Sequence, residues 1–402
     1  MVSREYVPLG LILFTEVIGF TLILPFLPYF AEEFGASPFI VGLILASFPF
    51  CQFFSAPIIG RLSDRFGRKT MLIVSQLSTL AGFLILGFAN SLWMIFLSRI
   101  IDGLFGSNMT LTRTYISDIT RGKERAKGYS YFGAVEGLGW FIGPAIGGIF
   151  SLISYSLPSF FAAGMTIISI VLTITILEET VVSKERVSVK ASDFFPAKHF
   201  FEGLKIKKLR KKFGEYFFFF LGFTMVLSVL ALFVKHQLGF GPEEVGIILM
   251  LFGLLRVIYQ STTIPKLIDK VDEVKLKRIG FGVTILSLVF FLAINSRIAF
   301  YTIMPIWGIG VGMTRPMIIS EVSRVPKKEE RGKIMGVLDS LNSIAQIIGP
   351  LVGGFLITIL DPPSWLGPIA AIIVSIGLMI TFVKSKDFKG KPRRLKKKAK
   401  NI

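Results

Sequence analysis

Long stretches of this chain carry no charge at all. Pro38 to Ile59 has none, and neither has Tyr155 to Leu177. Wound as helices at 1.5 Å per residue, such runs cross the ~30 Å hydrocarbon core of a bilayer. A helix also satisfies its own backbone polar groups, as hydrocarbon demands. Strand-period alternation is missing, which argues against a β-barrel. Composition agrees: 52% of the 402 residues are hydrophobic, 40 are Phe and only 18% are charged. A soluble domain cannot hide that much apolar surface.

Twelve spans are expected, at 7–30, 39–60, 70–89, 92–117, 127–151, 155–178, 214–235, 242–264, 276–295, 298–323, 333–359 and 364–383. The longest polar break splits six from six. It predicts a first six-helix bundle over 1–178, a linker over 179–213, a second bundle over 214–385 and a basic tail over 386–402. The first apolar segment lacks a small-residue cleavage site and is expected to be a retained helix.

The net charge of +19 raises the question of nucleic acid. Its distribution answers otherwise. Counted on alternate sides of the spans, 39 of the 45 Lys and Arg fall on one side and two, Lys235 and Arg297, on the other. Cytoplasmic loops carry that excess, so both termini and the linker are expected in the cytoplasm of a multi-pass cell-membrane protein. The tail also suits anionic lipid headgroups. No nucleic-acid recognition module accompanies the charge. The single cysteine, Cys51, forms no intrachain disulfide, and no metal-ligand cluster or cofactor motif is present.

The halves repeat. "ER" at 124–125 precedes "GPAIGG" at 143–148, and "ER" at 330–331 precedes "GPLVGG" at 349–354. "YISD" at 115–118 matches "IISE" at 318–321, and "GRLSDR" at 60–65 matches "PKLIDK" at 265–270. The three offsets are nearly equal. A duplicated helical unit closing on a central cavity is a transporter plan.

One loop is unusual. "GRLSDRFGRK" packs five ionised side chains and two glycines between two apolar spans. Gly60 permits close helix approach and Gly67 a tight turn. The stretch, with Asp64, Arg65, Gly67, Arg68 and Lys69, is similar to motif A of the major facilitator superfamily. That resemblance covers the whole chain. It implies an all-α membrane protein with twelve transmembrane helices in two pseudo-symmetric six-helix bundles, and a loop that latches the cytoplasmic side shut. Asp64 is expected to face the N-terminal end of helix eleven, and Arg65 to reach Asp118. The matching loop of the second half lacks the glycines, so the latch is expected in one copy only.

In helix five, Gly139, Gly143, Pro144, Gly147 and Gly148 fit G-x-x-x-G-P-x-x-G-G. This resembles motif C of the proton-coupled antiporters, although generic tight packing is the competing explanation. "GFTLILPFLPYF" in helix one looks like the twelve-helix drug:proton antiporter family. "RIIDGLFGSN" with "YISDIT" resembles the tetracycline-exporter type, with Asp102 where many relatives carry Gln.

Eight ionisable residues fall inside spans and away from the loops: Glu16, Arg99, Asp102, Arg113, Glu136, Arg256, Arg315 and Asp339. Translocon scales put each at roughly +2.5 to +3.5 kcal/mol near the bilayer centre, so they are expected to face a cavity or one another. Glu16 has no base within four residues. Desolvated carboxylates take up protons near neutral pH, which makes Glu16 a proton site or an attractor of cationic compounds. Asp102 lies three residues after Arg99 on one helix face, either as a proton site or as a structural pair. Glu136 is a further proton candidate. Asp339 is expected to pair with Arg315 or to serve the cytoplasmic gate. Arg256 and Arg315 instead suit an anionic substrate.

The resemblance and these residues imply a proton-coupled secondary antiporter, exporting hydrophobic, cationic small molecules as a monomer. The alternatives are a transporter of a small anionic or sugar-like solute, using Arg256 and Arg315, and a non-transporting membrane receptor. No phosphate-binding G-x-x-x-x-G-K-[ST] and no nucleophile–base arrangement suggests an enzyme. His199 and His236 read as solvated or interfacial.

Overall fold

The computed structural model describes residues 6–120, 122–180, 206–268, 270–324 and 331–383. Among them there are helices and no strands. Among the described residues twelve helices span the molecule. In the first half these are α1 (Tyr6–Glu33), α2 (Pro38–Phe66), α3 (Arg68–Gly87), α4 (Leu92–Phe105 continuing as Asn108–Ile119), α5 (Gly122–Ser151) and α6 (Leu157–Ile176). The second half has α7 (Lys207–Leu238), α8 (Pro242–Ile258, a π-helical turn Tyr259–Thr263, then Ile264–Ile268), α9 (Glu273–Val289), α10 (Arg297–Arg324), α11 (Arg331–Ile359) and α12 (Leu366–Phe382). Ten are long and apolar enough to cross a membrane. The other two are α4, which is broken, and α10, which carries Arg315 and Glu321. Helix α7 starts at Lys207, so residues 207–213, expected as linker, are helical.

The basic loops lie at one end of the helices, called the basic face here, and the loops after α1, α5, α7 and α9 at the far face. Within the first half α1 packs on α5, α2 and α3 on α4, and α3 on α6; within the second α7 packs on α11 and α12, and α9 on α10 and α12. The halves meet along two seams, α2 with α11 and α5 with α8, while α1 touches α7 and α8.

Glycine makes those seams. On α5, a Cβ at Gly139 would strike Val17, one at Gly143 would strike Thr21, and one at Gly147 the Leu22 carbonyl. That face seals α1, and Thr21 Oγ1 donates to the Gly139 carbonyl at 3.1 Å. The opposite face meets the second half: Gly148 lies against Pro242 and Gly246, and Gly246 against the Pro144 carbonyl. Helix α11 repeats the arrangement. Gly349 and Gly353 face α7, where Thr224 Oγ1 donates to the Ala345 carbonyl at 2.8 Å. Gly354 meets Pro38, and Gly42 meets the Pro350 carbonyl. Small residues give backbones this approach, and the two "GP-x-x-GG" copies do the same packing work. Both seams lie toward the far face. Toward the basic face, Gly60 on α2, Gly133 on α5 and Gly336 on α11 have nothing within 4 Å of an added Cβ.

Candidate functional site: a buried carboxylate cavity

The break in α4 builds the site. Gly106 N still donates to the Asp102 carbonyl at 2.6 Å, but the chain leaves the helix there. The freed groups are satisfied by neighbours, as a bilayer requires. Gln52 Nε2 donates to the Gly106 carbonyl at 2.8 Å, Ser55 Oγ to the Gly103 carbonyl at 2.8 Å, and Ser107 N to Ser75 Oγ at 2.7 Å. The re-aimed chain carries Asn108 to Glu16: Asn108 Nδ2 donates to Glu16 Oε2 at 2.9 Å and to Thr79 Oγ1 at 3.0 Å.

Arg99 and Asp102 lie on the turns just before the break, both buried. Arg99 Nη1 is 3.6 Å from Asp102 Oδ2, too long for a good hydrogen bond. The guanidinium also lies 5.8 Å from the Phe83 ring centroid. Arg99 Nη2, Asp102 Oδ1 and Asn108 Oδ1 are buried without a hydrogen-bond partner among the described residues. Leaving such groups unsatisfied costs on the order of 1–3 kcal/mol each, more for charged ones, which makes this cluster the candidate site. Glu16, Arg99 and Asp102 line a cavity of about 120 Å³ with Gly19, Phe20, Phe48, Gln52, Thr79, Phe83 and Gln346. Every lining residue but Gln346 belongs to α1–α4. The arrangement offers two carboxylates, one guanidinium and unpaired acceptors and a donor within aromatic walls.

The other intramembrane charges stand apart from this cavity, nearer the basic face. Arg256 on α8 lies over the Trp140 ring of α5, 5.8 Å from its centroid, and is within electrostatic reach of Glu136 and Arg315. Arg315 lies 5.2 Å from the Phe220 ring centroid and bonds Tyr216. Asp339 is within reach of both Arg113 and Arg315, from opposite halves. Its side chain is exposed.

The motif-A loop differs from expectation in its pairing. Arg68, not Arg65, holds Asp118, with Nε 3.0 Å from Oδ2. Asp64 meets the same arginine, 2.5 Å from Nη2; the start of α11, which it was expected to face, has the side chains of 331–333 outside the described residues. The reason is the turn. Gly67 has φ 104°, and a Cβ on it would strike the Glu179 carboxylate. That turn leaves Arg65 on the last turn of α2, stacked 5.2 Å from the Phe66 centroid. Arg68 opens α3 beside the end of α4, where its own N–H donates to Glu179 Oε1 at 2.6 Å. Lys69 Nζ donates to the Ile174 carbonyl at 2.8 Å.

Sequence reasoning passed over a second charged cluster. Lys277, fully buried on α9, bonds Glu215 on α7 at 2.6 Å and Glu321 on α10 at 2.7 Å, and Lys212 bonds Glu321 at 2.5 Å. Lys212 was expected in the linker, and Lys277, at the edge of the ninth span, was counted with the loop cations. The missed signal was the repeat: Glu321 is the counterpart of Asp118, and it too takes a cation from the start of the preceding helix. The second half therefore has its own version of the Arg68–Asp118 contact.

Known proteins share this architecture. The sequence model of the Major Facilitator Superfamily matches residues 9–325 and 213–401. The chain belongs to the Major Facilitator Superfamily. Among superfamily relatives it is 29% identical over 359 residues to the tetracycline resistance protein, class H, of Pasteurella multocida, covering 88% of this chain and 89% of that protein. It is 27% identical over 387 residues to multidrug resistance protein 2 of Bacillus subtilis (strain 168), covering 93% and 94%. Its fold matches the nucleoside transporter NupG with TM-score 0.76 at 13% identity, covering 95% and 100%. The human organic anion transporter MFSD10 (TETRAN) matches with TM-score 0.72 at 19% identity, covering 94% and 99%.

Proposed function

We propose that this superfamily member is a proton-coupled antiporter that exports hydrophobic, cationic small molecules by alternating access. One observation carries the reading: Glu16 and Asp102 line an aromatic-walled cavity in which Asp102 Oδ1 lacks a partner among the described residues. Acceptors without donors suit a ligand that brings positive charge and N–H groups. The same carboxylates hold protons when the ligand is away, so proton and cation compete for one place. The tetracycline and multidrug resistance relatives support efflux as the direction.

The basic face is cytoplasmic on this reading, with both termini there. The seams close the far face, so the cavity opens to the cytoplasm in this conformation. A substrate enters and displaces protons; the halves rock; protons from outside expel it. The cavity comes from a single chain, and a monomer suffices. Arg256 and Arg315 carry the rival reading, transport of an anionic solute, but each already lies over an aromatic ring.

The test is dye efflux in everted vesicles with and without a proton gradient. Wild type is expected to need the gradient, and Glu16→Gln to lose coupled export. Gradient-independent flux of every amphipathic cation, or anion flux that survives Glu16→Gln, sinks the reading.

A further inference from the structure

The cavity is almost entirely a product of the first half. Its lining comes from α1–α4 except for Gln346 of α11. That one side chain is where a ligand held by Glu16 and Asp102 touches the second half.

Its backbone is fixed on both sides. The Ala345 carbonyl accepts from Thr224 at 2.8 Å, Gly349 is pressed against α7, and the Pro350 carbonyl against Gly42 of α2. The side chain is not spent on that packing. It makes no hydrogen bond among the described residues, and it is partly exposed to the cavity. By contrast Gln52, the other glutamine of the lining, is occupied by the Gly106 carbonyl. A glutamine amide supplies two donors and one acceptor. Opposite two carboxylates, its carbonyl end is the one that suits an approaching cation.

We propose that Gln346 is a specificity-determining residue: its free amide accepts from N–H or O–H groups of a cationic substrate and so favours hydrogen-bonding cations over purely lipophilic ones. A ligand without such groups leaves the amide unpaired as the cavity closes on it, which selects against that ligand. The same contact ties substrate in the first half to the position of α11 in the second. The proposal rests on the cavity being a cation site, as argued above.

The experiment compares two monocations on the purified full-length protein. Ethidium carries amino N–H groups; tetraphenylphosphonium carries none. Dissociation constants are measured for wild type, Gln346→Met, which keeps the side-chain volume, and Gln346→Asn, which keeps the amide. The ratio of the ethidium constant to the tetraphenylphosphonium constant is expected to rise about three- to tenfold in Gln346→Met, the net worth of one neutral hydrogen bond. Gln346→Asn is expected to fall between, and it carries the comparison if the Met variant does not fold. An unchanged ratio in both variants overturns the proposal while leaving the cation site standing. Failure of wild type to bind either cation overturns both.

Discussion

Lys235 of α7 donates to the Glu32 carboxylate of α1, so one ion pair ties the first half to the second at the far face. His236 Nε2 lies 3.4 Å from the same carboxylate. Lys235 also lies 5.0 Å from the Tyr29 ring centroid, and Tyr29 Oη donates to the Phe240 carbonyl at 2.8 Å. If the halves rock about the cavity, these contacts must break each cycle. Cys51 is the one native cysteine, so a designed pair can be tested in a Cys51→Ser background. Glu32→Cys with Lys235→Cys is expected to cross-link with a reducible bifunctional thiol reagent long enough to replace the two side chains, and to cut transport at least about tenfold, because a covalent link removes one of two required states. Reductant should restore it. Full transport by quantitatively cross-linked protein would exclude opening at this face.

The seam next to that pair predicts an opposite perturbation. A Cβ at Gly148 meets the Pro242 carbonyl at 2.7 Å and Gly246 Cα at 3.0 Å, both backbone atoms of the other half. Gly148→Val must therefore part α5 from α8. Overpacking costs about 1–3 kcal/mol, and here it falls on the far-face-closed conformation alone. The cross-linking yield of the Glu32/Lys235 cysteine pair is expected to fall severalfold in that background. Gly133→Val on the same helix, with open space around it, should leave the yield unchanged. Equal effects of the two substitutions would dismiss the seam as the closing contact.

At the basic face, Arg68 is the hub of its loop. It reaches Asp64, Asp118 and Ser63, while its backbone N–H is held by Glu179. Both aspartates are substantially exposed, so the pairs contribute little to global stability. Their effect is expected in turnover. Arg68→Ala should lower the transport rate severalfold with substrate affinity retained, and Arg65→Ala, which loses one ring contact, should stay within about twofold. An affinity loss matching the rate loss in Arg68→Ala would assign the loop to binding.

Much of this was legible in one dimension. Uncharged runs and alternating loop charge gave the spans, since hydrocarbon leaves a chain few options. The repeat was visible because the copies keep "GP-x-x-GG", and tight seams tolerate little else. The break in α4 was not. "GLFGSN" sits inside an otherwise helical pattern, and what stabilises the break is Gln52, Ser55 and Ser75 from α2 and α3. Gln346 stayed hidden because an uncharged residue in an apolar span raises no alarm. Arg65 was preferred to Arg68 because the φ of Gly67 decides which arginine faces α4, and spacing does not encode it. Lys277 was counted as a loop cation because its partners, Glu215 and Glu321, are distant in sequence.

That last cluster yields the largest expected energy. Lys277 is fully buried between Glu215 and Glu321, with Lys212 completing a set of two cations and two anions. Such a network is balanced only while every member is present. Removing one partner from a buried pair costs about 3–5 kcal/mol, because the remaining charge has no solvent to turn to. Lys277→Ala leaves two carboxylates facing Lys212 alone, and also a cavity. It is expected to lower the melting temperature of the purified protein sharply and to reduce its amount in the membrane. Replacing a charge pair by neutral groups of similar volume is often tolerated. Lys277→Met with Glu215→Gln should therefore recover most of the lost stability, leaving Lys212 and Glu321 as one intact pair. Single variants as stable as wild type, or a double variant no better than Lys277→Ala, would mean that the four side chains do not act as a unit.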